Sequence, residues 1–232
     1  MGQKCHPIGF RTPSNKNYSW ESVWYSDHIK FSDMLIKDIR VRELVMQNLK
    51  QAGVSKVIIE RPSKKMNINI HSSKPGVIIG KKGNDINTLK KQIASVTQMK
   101  VDEVSVNIID IKKPEIDANL VAQNIAQQLE KRISFRKAVK RAISSAIKMG
   151  ANGIRVNVKG RIGGADIARM EWYSEGSVPC HTIRARIDYS QVPSYTKDGI
   201  VGIKVWIYHE DKNGSIIKKD LNKGKDATTK EN

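Results

Sequence analysis

Two groups of residues in this 232-residue chain have the types and spacing to do chemistry. The first is Gly80-Lys81-Lys82-Gly83, with the apolar run Val77-Ile78-Ile79 before it and an amphipathic pattern after it. Glycine carries no Cβ, so the backbone at 80 and 83 can approach a phosphodiester closely. A helix starting there would add free N–H groups and the positive end of its dipole. The second group is a cationic strip, Lys131, Arg132, Arg136, Lys137, Lys140 and Arg141. From Lys131 to Ala165 there are ten basic residues and no acid. Both groups suit the neutralisation of phosphates by Lys and Arg. Each also has a plainer reading, a tight turn with solvated lysines for the first and a solubilising helix face for the second.

Lesser candidates lie elsewhere. Lys4 and Arg11 stand in an acid-free opening of twenty residues. Arg161 and Arg169 flank Gly163-Gly164, where a sharp bend with close backbone approach is predicted; RNA backbone contact and a buried turn are equally good uses for it. Trp172 and Tyr173 read as core, and Asp166, Glu171 and Glu175 as partners of nearby arginines. Other chemistries fail on spacing. No G-x-x-x-x-G-K-[ST] string exists, and Gly76, Gly80 and Gly83 do not make the G-x-G-x-x-G of a dinucleotide site. Cys5-His6 and Cys180-His181 lack metal-ligand spacing. Neither G-x-S-x-G nor H-E-x-x-H occurs. The expectation is no catalytic residue, no metal and no cofactor.

Composition agrees with a polyanionic partner. Lys plus Arg is 41 against 23 Asp plus Glu, a net charge of +18, and apolar residues are 39%. Charge of this size argues about association rather than fold. The longest apolar runs fall far short of the ~18 residues a membrane span needs, and no secretory signal is visible at the N-terminus. Two cysteines make no disulfide framework and fit a reducing compartment.

The elements that must position these groups follow from periodicity. Residues 1–20 read as an extended basic arm. A helix is predicted over 28–52, with Ile36, Ile39, Leu44 and Leu49 on one stripe. Strands follow at 54–62 and 66–72, the second alternating Met66, Ile68 and Ile70 with Asn67, Asn69 and His71. Arg61 to Lys65 makes a basic hairpin loop. After Gly80–Gly83 comes a helix carrying Ile86, Leu89, Ile93 and Val96, then a strand at 103–110. Lys112-Lys113-Pro114 marks a joint. A helix begins at Asp117, another is capped by Ser134, and strands are predicted at 153–162, 169–176, 181–189 and 199–208. Residues 211–232 are polar enough to be disordered. The class is α+β in two domains, 21–111 and 112–210.

The first block, helix–strand–strand–helix–GxxG–helix–strand, resembles a type II KH domain, which clamps about four nucleotides at its glycine loop. Longer strings widen the resemblance. MGQKCHPIGFR at the start, IERP at 59–62, KPGVIIGKKG at 74–83, KPEIDANLVAQNIAQQLEKRISFRKAVKRAI at 113–143, GRIGGADIARMEWY at 160–173, GSVPCHTIRARIDY at 176–189 and GIKVWIY at 202–208 are similar to bacterial-type small-subunit ribosomal protein three. The resemblance runs from Met1 to about Tyr208. It implies an αββααβ KH domain followed by an α+β domain with two helices and a mainly antiparallel sheet. It implies a non-enzymatic constituent of the small ribosomal subunit, cytoplasmic or in an organelle of bacterial descent, bound to the 3′ major domain of rRNA in the head. The residues matching the family's mRNA-entrance cations are Lys131, Arg132 and Arg136. Where relatives carry Arg, position 131 is Lys, which keeps the charge and loses the planar fork. Neighbours implied are small-subunit proteins ten and fourteen, with four and five around the mRNA entrance. Two other functions are weighed against this one: a free KH-type RNA chaperone or assembly factor, and a metal-dependent nuclease using Glu171 or Asp166.

Overall fold

A computed structural model describes residues 4–12, 20–26, 28–62, 65–80 and 83–209. In chain order these form α1 (Pro7–Arg11), β1 (Ser22–Val23), α2 (His28–Asn48), β2 (Val54–Glu60), β3 (Met66–Ser72), α3 (Pro75–Ile79), α4 (Asn84–Thr97), β4 (Val104–Asp110), α5 (Ala118–Glu130), α6 (Phe135–Lys148), β5 (Gly153–Gly160), β6 (Arg169–Gly176), β7 (Arg186–Thr196) and β8 (Gly199–His209). The class is α+β, in two compact units. One spans 19–120; the other joins the N-terminal segment to the chain from 121 onward. The division falls inside α5, later than the joint expected at 112. Asp117 and Asn119 explain this: their side chains meet the Ser55 hydroxyl and the Ser55 carbonyl oxygen, at 2.5 Å each.

In the 19–120 unit the sheet order is β1-β2-β3-β4. β2 and β3 are antiparallel, while β4 runs parallel to β3, so α3 and α4 are the crossover between them. The alternation seen in the sequence is the burial alternation: Met66, Ile68 and Ile70 are buried, with Val57, Ile59 and Ile93 in the same core. His71 points the other way. Burial, helped by Lys56 in the paired strand, holds its pKa below the ordinary histidine value, against an opposing pull from Asp117.

Three expectations need correcting in this unit. β1 was not foreseen; it pairs parallel to β2 through Ser22 and Val23. On α2 the buried side chains are Asp38, Val41 and Val45, while Ile36 and Ile39 face outward. Arg61 is no loop cation: it pairs with the fully buried Asp38 at 2.5 Å. The Asp38 carboxylate also accepts from the Trp24 indole at 2.7 Å and from the Ser22 hydroxyl at 3.3 Å.

The second unit has a sheet ordered β6-β5-β8-β7, antiparallel throughout. Its inner face carries Ile154, Val156, Ile203, Val205 and Ile207, all fully buried. Helix α6 lies against β5 and β6, and the Ser194 hydroxyl of β7 donates to the Ala126 carbonyl of α5 at 3.1 Å. β7 starts and ends later than predicted. Residues 181–184 are turn, and the strand runs on through Pro193 to Thr196. Proline is tolerated there because β7 is an edge strand with one unpaired side.

The N-terminal arm is not extended over its described part. Pro7–Arg11 is one helical turn whose N-cap His6 accepts the Gly9 N–H. Residues 13–19 and 210–232 lie outside the described residues, the expected tail among them.

Candidate nucleic-acid interface

Backbone conformation shapes the glycine loop. α3 opens on Pro75, whose ring is preset for a first helical position. Gly80 ends it at φ 68°, ψ −172°, and Gly83 caps α4 at φ 75°, ψ 14°. Both angles lie where side chains are disfavoured. A Cβ on Gly80 would also collide with the Asp85 side chain. Glycine is therefore required at 80 twice over. α4, 14 residues long, presents its N-terminal N–H groups at this loop. Beside it, Ile78 is anchored in the core while Val77 and Ile79 stay 50% and 44% exposed. Backbone donors and apolar surface lie side by side, as a nucleotide needs. Lys81 and Lys82 lie outside the described residues.

The strip is built by the α5–α6 junction. α5 starts on Asp117, whose carboxylate accepts the N–H groups of Asn119 and Leu120 at 3.0 and 3.1 Å. It ends in a Schellman motif: Ile133 N–H donates to the Gln128 carbonyl at 3.0 Å, and Arg132 N–H to that of Leu129 at 2.9 Å. This places Arg132 at φ 60°, a left-handed position usually given to glycine. Ser134 stands at the N-cap of α6, but its side chain makes no capping bond, contrary to expectation. α6 then buries Ala138, Val139, Ile143 and Ala146 and turns its cations outward.

Lys131, Arg132, Arg136, Lys137, Lys140 and Arg141 are all exposed, and none is ion-paired among the described residues. The arrangement opposes helix stability on two counts. Arg136 and Lys137 sit in the first turn, where the dipole favours anions by about 0.3–1 kcal/mol. Arg136/Lys140 and Lys137/Arg141 repel at i,i+4 by about 0.2–0.5 kcal/mol per pair. A polyanion laid along the strip relieves both.

The remaining candidates divide. Lys4 is exposed, its ammonium 5.5 Å from the Trp206 ring centre. Arg11 is a correction: it is 1% exposed and cannot meet a phosphate. Its guanidinium donates to the carbonyls of Pro7, Pro179, Cys180, Thr182 and Ala185 at 2.9–3.3 Å. Arg161 closes the Gly163-Gly164 turn, donating to the Ala165 and Asp198 carbonyls and pairing with Asp166 at 3.5 Å. Arg169 pairs with Glu171 at 3.1 Å. Asp166 and Glu171, the carboxylates a nuclease would use, thus belong to separate ion pairs. Among the described residues no three His, Cys, Asp or Glu side chains gather to hold a metal, and no helix is long and apolar enough to cross a membrane.

Trp172, expected in the core, is 54% exposed, while its neighbour Tyr173 is half-buried on the other face. The signal was in the alternation of Ile154, Val156 and Val158 with Arg155, Asn157 and Lys159, which assigns the polar set to the outer face of β5.

Comparison with known proteins follows the same division. Residues 40–116 match the KH domain model, and residues 125–207 match the model of the ribosomal protein S3 C-terminal domain. The chain is 54% identical over 220 residues to a small ribosomal subunit protein uS3 from a Ruegeria species, covering 95% of this chain and 88% of that one. With the uS3 of Magnetococcus marinus it shares 51% identity over 219 residues, 94% of this chain and all of the relative.

Proposed function

The chain belongs to the uS3 family of small ribosomal subunit proteins, and on that premise we propose that it holds rRNA of the subunit head and steers messenger RNA at its entrance. It is a non-enzymatic, cytoplasmic constituent of the ribosome. The cations fix the protein on phosphates without reading sequence. The rRNA contacts belong to the 3′ major domain, reached by Lys4 and by Lys137, Lys140 and Arg141, with the outward parts of Arg161 and Arg169. The glycine loop Gly80–Gly83, with Lys81 and Lys82, takes an unpaired RNA segment. Small-subunit proteins ten and fourteen are neighbours of the C-terminal unit, and four and five flank the entrance.

Lys131, Arg132 and Arg136 form the part that meets the moving messenger. The observation that carries this role is their exposure without an ion pair among the described residues, with Arg136 in the first turn of α6, where a cation costs stability. Phosphates occur at every nucleotide, so such a track is sequence-tolerant. It assists unwinding by holding separated strands better than paired ones, with translocation as the driving force.

The test is the triple variant Lys131→Gln, Arg132→Gln, Arg136→Gln assembled into subunits. Translation through a stable hairpin is expected to slow several-fold while unstructured messages are read at the normal rate. Normal hairpin transit would exclude the role. A free RNA chaperone is told apart by sedimentation, because a ribosomal constituent stays on small subunits through a high-salt wash.

A further inference from the structure

We propose that the outer face of the β6-β5-β8-β7 sheet is a stacking platform for an unpaired nucleotide, with Trp172 as the ring that takes the base. This rests on the RNA-binding reading and adds a site to it, on the sheet face opposite to α6. Trp172 leaves half its surface to water. The Arg155 guanidinium carbon lies 4.9 Å from its ring centre and 5.9 Å from that of Trp206, so the arginine is held between two indoles.

Two polar atoms beside the ring lack partners: Arg155 Nε and Asn157 Oδ1 are buried and make no hydrogen bond. Asn157 stands between Trp172 and Lys204 in the strand register. In the next row Lys159 stands between Met170 and Gly202, and Gly202 has no side chain to fill the surface there. Lys159 and Lys204 are exposed.

The outward residues of the four strands contain no carboxylate, which selects a polyanion over an ordinary protein surface. The far end of this face is closed. Tyr189 packs on Trp206 at a 41° tilt, ring centres 5.2 Å apart, and His6 and Lys4 of the N-terminal segment cover them. The half around Trp172 is open among the described residues. An aromatic ring flanked by guanidinium and ammonium groups is how sheet surfaces receive splayed-out bases, the ring taking the base and the cations its phosphates.

The experiment uses the full chain with fluorescein-labelled decauridylate and, separately, a blunt ten-pair RNA duplex. Trp172→Ala is expected to weaken decauridylate binding about tenfold, the scale of one base–aromatic stack. Duplex binding should change less than twofold, and Trp172→Phe should restore most of the loss. In the wild-type chain, 5-bromouridine-substituted RNA should cross-link to the peptide containing Trp172. Equal loss for both RNAs, or no loss in a folded Trp172→Ala protein, overturns the platform. So does a cross-link map without that peptide, or one in which Trp172 in assembled subunits meets only protein. Failure of the wild-type chain to bind either RNA would instead sink the RNA-binding reading itself.

Discussion

Arg132 shows most plainly a residue kept against local preference. A Schellman end wants glycine at this position, and an L-residue in the left-handed region costs about 1 kcal/mol or more. Substituting Arg132→Gly is expected to raise the free energy of unfolding by roughly 1 kcal/mol, whereas Arg132→Ala, still strained, gains nothing. Both lose the charge and both should slow hairpin transit. Urea unfolding of the two variants checks it: equal stabilities would mean that the left-handed backbone stores no strain. Arg11 teaches the opposite lesson. Nothing near it in sequence distinguishes it from a surface cation, because four of its five acceptors lie 168 to 174 residues away. No local pattern carries such information.

Elements were legible where burial follows a simple period. β3 alternates as its sequence does, and Leu89 and Ile93 mark the buried face of α4. The glycine loop was legible from the same periodicities on either side of it. β1 was not, because two residues have no period; its own Ser22 and the adjoining Trp24 are held by Asp38, a side chain on another element. On α2 the expected stripe held only at its C-terminal end, where Leu44 and the adjoining Leu49 pack on the core; nearer the N-terminus Asp38 is buried and Ile36 and Ile39 are left out. Leaving one member of a buried ion pair alone costs about 3–5 kcal/mol. Asp38→Asn is therefore expected to destabilise the 19–120 unit on that scale and to free β1 first. Thermal melts give the size and amide exchange at Ser22 and Val23 gives the order; a variant as stable as wild type would show that Arg61 and Trp24 find other partners. β7 was misplaced by Pro193, a strand breaker in most contexts and harmless on an edge. Trp172 was misjudged because an aromatic residue defaults to the core, and only the register of β5 and β6 shows which way it faces.

At the scale of the whole molecule, the +18 charge sets how association responds to salt. Each phosphate neutralised contributes about 0.7–0.9 to the slope of log K against log salt. Replacing Lys137, Lys140 and Arg141 with Gln should flatten that slope by about two to three, leaving the preference among RNA sequences as it was. Titrations of rRNA fragments between low and moderate KCl measure it, and an unchanged slope would remove these three residues from the interface. The molecule also joins segments that lie far apart in the chain. The segment carrying Arg11 is made early, whereas Cys180, Thr182 and Ala185, which hold its guanidinium, are made 169 to 174 residues later. During synthesis the 19–120 unit can close as soon as it emerges. The leading segment must wait, trailing free, for more than 160 further residues before its socket exists. Its docking is a late step of folding, open only once synthesis has passed Ala185.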